Sequence, residues 1–201
     1  MKDFAAYLKS EIEAIRALTA PVRLQEKPTF INNLVFMYHT IRASEDLLKC
    51  AIEKAIPGTE LHAYLEEHLE EERQHEKWLA EDLLSVGFDV HLTSIPREAV
   101  QMAGSMFYLV RLVHPRALLG YMAVLEFFPM PLEAVEILEE IHGKSLLRCL
   151  RYHAEHDIDH AHDLAGMLDR LLEEEQELVF SSAIETALYQ QAAVAGFNTS
   201  N

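Results

Sequence analysis

One pattern of two histidines and an acid occurs twice in the chain and constrains its fold. The two triplets, spaced HxxxExxH and HxxxDxxH, are His68, Glu72 and His75, and His153, Asp157 and His160. At about 100° per residue, this spacing puts all three side chains within about 60° on one face of a helix. With 11 histidines in 201 residues, one such triplet is expected about 0.1 times by chance. Imidazoles with a carboxylate suit iron, manganese or zinc better than magnesium or calcium. The repeat therefore predicts a metal site between two helices.

Glycine and proline, seven residues each, occur where helices would have to end. No segment alternates apolar and polar residues over a strand length, and VGFDVHLTSI is interpreted as a loop. The helices are predicted at 3–18, 29–55, 59–86, 96–113, 115–128, 131–142, 144–173 and 175–195. We therefore expect an all-α fold, with residues 1–201 forming a single domain.

The net charge of −16 argues against a nucleic-acid or anionic-membrane partner. No segment has 18 uncharged apolar residues, so no transmembrane helix is expected. The N-terminal segment lacks the apolar core of a signal peptide, so we expect a cytoplasmic protein. Cys50 and Cys149 have no CxxC spacing and are predicted to be buried reduced thiols, with a disulfide between them as the alternative.

Glu126 lies in the apolar run GYMAVLEFF, where a carboxylate is costly to bury unless it is paired or binds a metal. Its partner could be an arginine such as Arg42 or Arg111. Next to the two histidine triplets, however, the metal interpretation is favoured. The acids Glu66, Glu67, Glu70 and Glu71 are interpreted as a solvated helix face.

The first long helix offers four further candidates in FMYHTIRASEDLL, any of which could face the same cavity: Tyr38, His39, Arg42 and Glu45. With Glu45 included, the chain has a carboxylate, an ExxH pair, a second carboxylate and a DxxH pair. Ferritin-like di-iron bundles have a similar order of ligands.

These segments resemble those of the heme-oxygenase-like di-iron oxidases, which share the fold of heme oxygenase and thiaminase II and are related in fold to pyrroloquinoline quinone synthase. The similar segments are HLEEERQHEKWLAEDLLSVGFD, ALLGYMAVLEF, HAEHDIDH and, more loosely, NLVFMYHTIRASEDLLKCA. The resemblance covers most of residues 25–170, and the HxxxDxxH helix is its most specific part. It implies a bundle of about seven or eight helices.

The resemblance also implies a set of metal ligands: Glu72, His75, Glu126, His153, Asp157 and His160. One further carboxylate differs in position among members of the superfamily. It lies seven residues before the ExxH histidine in some, where this chain has His68, and on the first long helix in others, near His39 or Glu45. We include His68 as a candidate ligand. The departure predicts that one metal position could be weaker, differently ligated or empty.

The implied cofactor is two Fe(II) ions, or one if a position is empty, with O₂ as co-substrate. Iron is labile in this superfamily, so it could be lost on purification. The implied activity is that of an oxidase or oxygenase that oxidises, cleaves or N-oxygenates a small organic acid or amine, whose carboxylate Arg42 or Arg111 could bind. No catalytic residue beyond the ligands is assigned. Homodimers are common in this fold, which makes a homodimer one expectation by analogy.

Other functions remain open at this point. The fold also includes metal-free cofactor-maturation oxidases and heme oxygenase, although an acidic chain disfavours a basic clamp for heme propionates. A ferritin-like iron-binding bundle would use similar ligands. The adjacent pair His156 and Asp157 is also typical of histidine-aspartate phosphohydrolases, but their other motifs are not identifiable. A pure interaction module would not place Glu126 and Asp157 among buried ligand-type residues.

Overall fold

The computed structural model describes residues 3–199, except for the side chains of residues 157, 158, 198 and 199. Within this range the chain forms nine α-helices and no strand, which confirms the all-α prediction. The helices are α1 (Phe4–Arg16), α2 (Lys27–Lys54), α3 (Glu60–Glu72), α4 (His75–Leu84), α5 (Arg97–Leu112), α6 (Ala117–Glu126), α7 (Leu132–His142), α8 (Arg148–Asp169) and α9 (Glu173–Thr199). The segment predicted as a loop contains only a short 3₁₀ turn, Val90–Leu92.

Most helix ends follow the local signals in the sequence. Pro28 stands in the first turn of α2, where its missing N–H would have no helical partner. The Thr59 hydroxyl caps α3 by accepting a hydrogen bond from the His62 N–H at 3.3 Å. Gly143 ends α7 with φ of 91°, a conformation that favours glycine. The helix predicted to start at residue 144 begins instead with a 3₁₀ turn, Lys144–Leu146, before α8.

The prediction of one continuous helix over residues 59–86 is wrong. The chain leaves the helix after Glu72 and re-enters it at His75, with Gln74 at φ 70° and ψ 7°. No glycine or proline marks this break. The N–H of Gln74 is instead held by the Glu45 carboxylate of α2. The break raises the number of helices above the predicted seven or eight.

Two apolar clusters explain why the chain breaks here. A larger cluster includes Leu8, Leu47, Leu65, Leu69, Met106, Phe127, Leu164 and Leu168. A smaller one includes Phe30, Leu34, Leu79, Leu83, Val135, Leu138, Leu150 and Ala154. Helix α3 thus buries its apolar side in the larger cluster, and α4 buries its side in the smaller one. Burial of these leucines stabilises each packing by about 1.5–3 kcal/mol per side chain, which outweighs a local conformational cost of about 1–2 kcal/mol.

Helices α6 and α9 share the most extensive helix–helix contact in the molecule. Gly120 of α6 makes this approach close, because a Cβ there would overlap the Ser182 side chain and the Val179 carbonyl of α9. The Ser182 hydroxyl donates a hydrogen bond to the Ala117 carbonyl at 2.7 Å. This contact fixes α6, whose last residue is Glu126. Among the described helices, none is both long and apolar enough to cross a membrane.

Candidate metal centre

The break between α3 and α4 brings two predicted ligands together across it. A Glu72 carboxylate oxygen lies 3.2 Å from Nδ1 of His75. His75 is almost fully buried, and Glu72 is half-buried. The expectation that His68, Glu72 and His75 share one face of a single helix is therefore wrong. The side chains still lie close together because the chain turns back between Glu72 and His75.

Helix α8 supplies the facing histidines. Glu72, His75 and His153 each offer one ligand atom, and these atoms lie within 4.8 Å of one another. The rings of His75 and His153 are 4.9 Å apart at their centroids. Two helical turns further along α8, Nδ1 of His160 lies 3.8 Å from the other Glu72 oxygen. Glu72 thus lies between the histidines of α4 and α8.

Glu126 enters from the end of α6 and pairs with His68. Its Oε1 atom lies 3.2 Å from Nε2 of His68, and both residues are buried. The His68 ring is 5.5 Å from the His160 ring, which links this pair to the rest of the cluster. In the described part of the chain, Glu126 therefore pairs with a histidine rather than with the suggested Arg42 or Arg111.

Six of the seven predicted ligands thus converge: His68, Glu72, His75, Glu126, His153 and His160. The seventh, Asp157, has a side chain outside the described residues. Its backbone lies within continuous α8, one turn beyond His153.

The surroundings shift two pKa values in opposite directions. Burial alone would lower the pKa of His68, but the negative charge and hydrogen bond of Glu126 raise it to about 9. Burial alone would raise the pKa of Glu72, but the hydrogen bond with His75 and the positive charge of His68 hold it at about 2. In this arrangement the carboxylate is a negatively charged acceptor among imidazoles.

A hydrogen bond at Nδ1 fixes the orientation of the His153 ring. Its Nδ1 lies 2.8 Å from the Cys149 carbonyl oxygen one turn earlier in α8, so Nδ1–H is the donor. Nε2 of the neutral ring then keeps its lone pair, as a metal-binding histidine requires. The Cys149 N–H in turn donates to the buried Asp82 carboxylate of α4 at 2.8 Å. A chain of hydrogen bonds thus connects α4 to the histidine of α8.

A cavity of about 320 Å³ adjoins the cluster. His68, Glu72, Glu126 and His153 form part of its wall. Most of the other described lining residues are apolar, among them Phe36, Met37, Leu48, Leu118, Met122, Leu125, Phe128, Met130, Leu150, Val194 and Phe197. Its size lies at the lower end of small-molecule sites. The cluster therefore borders an apolar space that can hold an organic molecule.

The four further candidates on α2 are not among the described residues of this wall. Glu45 pairs with Lys49 at 2.6 Å, and the Tyr38 hydroxyl lies 3.3 Å from Nδ1 of His91. Burial and the nearby Arg42 lower the pKa of His39. Of the positions considered for the missing carboxylate, His68 lines the described cavity wall, whereas His39 and Glu45 are not among its described residues. Arg42 and Arg111 also lie away from the cavity, whose arginine is Arg16.

Three neighbours of the cluster were not identified from the sequence. Glu71, predicted to be only solvated, has a carboxylate oxygen 3.5 Å from Nε2 of His160. Tyr64 stacks on His68 with ring centroids 5.9 Å apart, and burial with the charge of Glu126 raises its pKa. Tyr152 lies 5.2 Å from the His75 ring. The helical spacing from Tyr64 to His68, four residues, is the signal that could have revealed the first aromatic contact.

Cys50 and Cys149 are both buried and are not joined in a disulfide, as predicted.

Among solved structures, the chain is similar to a domain of unknown function with a heme oxygenase-like fold from Shewanella denitrificans OS217. The TM-score is 0.69 at 16% sequence identity, and the match covers 96% of this chain and 89% of that chain. No family model matches the sequence, and no curated protein matches it significantly. The structural similarity establishes the fold and confirms the predicted bundle.

Proposed function

Because the chain has the heme-oxygenase-like fold, we propose that it is a non-heme iron-dependent oxidase or oxygenase. It holds two Fe(II) ions and uses O₂ to oxidise, cleave or N-oxygenate a small organic acid or amine. The observation that supports this most is the convergence of Glu72, His75 and His153, whose candidate ligand atoms lie within 4.8 Å of one another.

The donor set fits iron. Neutral imidazoles with carboxylates are typical of non-heme iron, whereas magnesium and calcium prefer oxygen ligands alone. Oε2 of Glu126 is buried and has no hydrogen-bond partner among the described groups. A buried carboxylate oxygen without a donor is costly, and a cation would satisfy it.

Some of these residues would hold the metal ions, and others would shape the surroundings of the site. Glu72, His75 and His153 would hold one ion, and the remaining candidates would hold the second: His68, Glu126, Asp157 and His160. Bound iron would supply the activation of O₂. The Cys149 carbonyl keeps Nε2 of His153 available as a ligand. The apolar cavity wall would exclude water from the substrate.

One alternative is favoured by a specific observation. The pair of His68 and Glu126 already balances positive and negative charge within the cluster, because the raised pKa of His68 keeps its ring protonated at neutral pH, which favours a metal-free cofactor-maturation oxidase of this fold. Heme is less suited, because Arg16 is the single arginine and no lysine occurs among the described residues of the cavity wall. A heme has two propionates to pair.

Iron binding to matched histidine variants tests the proposal. The full-length protein is incubated anaerobically with Fe(II), and bound iron per chain is measured after removal of excess metal. We expect up to two irons for the unmodified protein and the loss of at least one in His153→Ala. His156→Ala is the control, because its Nδ1 makes the same hydrogen bond, 2.8 Å from the Tyr152 carbonyl one turn earlier, on the exposed side of α8.

Equal iron binding by the unmodified protein and His153→Ala would contradict the ligand assignment. Negligible binding by the unmodified protein would favour the metal-free alternative. Admission of O₂ to the loaded protein should then consume O₂ in the unmodified chain and in His156→Ala, but not in His153→Ala.

A further inference from the structure

The cavity beside the cluster has an uneven charge distribution. Besides two histidines, the described wall contains one arginine, Arg16, and two carboxylates, Glu72 and Glu126. The two carboxylates belong to the candidate metal centre. The arginine belongs to α1, which contributes none of the proposed metal ligands. Arg16 is therefore a positive charge on the cavity that the proposed metal chemistry does not use.

Arg16 is the last residue of α1 and is half-buried. Its guanidinium carbon lies 4.5 Å from the centroid of the Phe128 ring, a cation–π contact. It makes no ion pair with any described carboxylate, although burial lowers its pKa and Glu13 raises it. The aromatic ring covers one face of the guanidinium. Its edge carries N–H donors in the geometry that binds a carboxylate through two parallel hydrogen bonds.

Phe128 follows Glu126 by two residues, so the arginine and the metal centre are connected by a short segment of chain. Lys9 lies two turns before Arg16 on the same side of α1, and its Nζ atom is 5.5 Å from the centroid of the same Phe128 ring. Gln190 of α9 also lines the cavity, and its Oε1 atom is buried without a partner among the described groups. Lys9 is not among the described wall residues, so Arg16 supplies the positive charge that faces the cavity.

We propose that the cavity binds a monocarboxylic acid with an apolar body, whose carboxylate pairs with Arg16. This inference rests on the proposed function and narrows its substrate class from organic acids or amines to acids. Glu72 and Glu126 each already pair with a histidine, whereas Arg16 has no ion-pair partner among the described carboxylates, so it would attract a carboxylate headgroup and repel an ammonium group. The acid therefore binds with its headgroup at Arg16 and its apolar body along the remaining wall. The volume of about 320 Å³ corresponds to roughly ten water molecules, which suits a medium-chain aliphatic or a small aromatic acid.

Three probes that share one alkyl chain test the headgroup preference: octanoate, 1-octanol and octylamine. Their dissociation constants are measured by calorimetry with the full-length protein, both without iron and after Fe(II) loading. We expect octanoate to bind more tightly than the other two. Arg16→Gln should weaken octanoate binding by about ten- to a hundred-fold, the range for a hydrogen bond to a charged group, and leave octanol binding unchanged.

Arg111→Gln is the matched control, because it removes the same charge from an exposed arginine away from the cavity. It should leave octanoate binding unchanged. Equal losses in the two variants, tighter binding of octylamine, or no octanoate binding in the millimolar range would overturn the proposal. Octanoate binding to the iron-free protein depends on Arg16 and the apolar wall and not on bound metal. Loss of iron binding with retained octanoate binding would therefore contradict the metal centre and not this inference, and the reverse result would contradict only this inference.

Discussion

The two segments that carry the histidine triplets have the same residue spacing but different backbones. Helix α8 runs without interruption through its triplet, whereas the first triplet is divided between α3 and α4 by a left-handed residue, Gln74. Both segments nevertheless bring histidines to the same carboxylate, Glu72: His75 from the first segment, and His153 and His160 from the second. The spacing therefore specifies which side chains meet, and packing decides the path that the chain takes between them.

The two segments also reach the apolar clusters differently. Helix α8 packs Leu150 in the smaller cluster and Leu164 in the larger one, and 14 residues of helix, about 21 Å, span the distance between them. The first segment packs Leu69 in the larger cluster and Leu79 in the smaller one. Ten residues of straight helix would span only about 15 Å, and the break allows α4 to take a separate direction.

Asp82 connects the broken segment to the continuous one, and its removal should have the largest effect. Its carboxylate accepts from the Cys149 N–H at 2.8 Å and from Nε of Arg148 at 2.7 Å. It therefore caps the first turn of α8, where the N-cap residue itself makes no side-chain hydrogen bond. Asp82→Ala should lower the free energy of unfolding by about 2–3 kcal/mol, measured by urea denaturation.

Two controls separate this cap from general charge loss. Asp82→Asn keeps an acceptor oxygen and should recover part of the lost stability. Glu81→Ala removes an exposed acid, 3.5 Å from Arg148, and should have almost no effect. Iron binding should fall in Asp82→Ala, because α4 carries His75 and α8 carries His153. An unchanged unfolding midpoint in Asp82→Ala would show that the two segments are held together by other contacts.

Compared with alanine at the same position, glycine should stabilise the first segment and destabilise the second. Gln74 is exposed, with φ of 70°, so Gln74→Gly should be more stable than Gln74→Ala by about 1 kcal/mol. Glu155 is exposed in the interior of α8, so Glu155→Gly should be less stable than Glu155→Ala by about 1 kcal/mol. In each pair the alanine variant accounts for the lost side chain. The difference in unfolding free energy between glycine and alanine measures the backbone alone.

A destabilising glycine at both positions would mean that the first segment is a continuous helix in solution. The comparison between the segments would then fail at its central point. The Gln74→Gly variant should also retain iron binding, because it leaves the path of the chain unchanged.

The sequence predicted the α-helical fold, because a helix depends on local periodicity. The set of candidate ligands came from the resemblance to a known superfamily and not from the periodicity of any one helix. Glu126 was identifiable because a carboxylate in an apolar run needs a partner, although the arginines considered for it were not that partner. The break at Gln74 was not identifiable, since it has no glycine or proline and results from packing in two separate clusters.

The cavity wall was also beyond sequence reasoning. Arg16 lies 110 residues before Glu126, and nothing in the local pattern of α1 distinguishes it from a solvated arginine. The arginines that were expected to bind a substrate carboxylate, Arg42 and Arg111, are not among the described residues of the cavity wall. Contacts between residues distant in sequence depend on how the helices pack, which the periodicity of one helix does not determine.

The smallest effect is expected from two ion pairs of these segments that lie outside the candidate metal centre. On α8, Arg151 pairs with Glu139 of α7 through two contacts of 2.7 and 2.8 Å, and its hydrogen bonds lower the pKa of Glu139 below its ordinary value of 4.5. On α3, Glu70 pairs at 3.3 Å with Arg73, three residues away, and both are exposed.

Because the pKa of Glu139 is lower in the folded than in the unfolded state, its stabilisation is present above about pH 4.5 and is lost as the pH falls through the folded-state pKa. Glu139→Gln should therefore slightly lower the thermal midpoint at pH 7, and the difference should vanish in acid. Glu70→Gln should match the unmodified protein at every pH, since a local exposed pair contributes little. A pH-independent difference for Glu139→Gln would mean that the carboxylate charge does not hold α8 against α7, and that the continuous helix depends on its buried face alone.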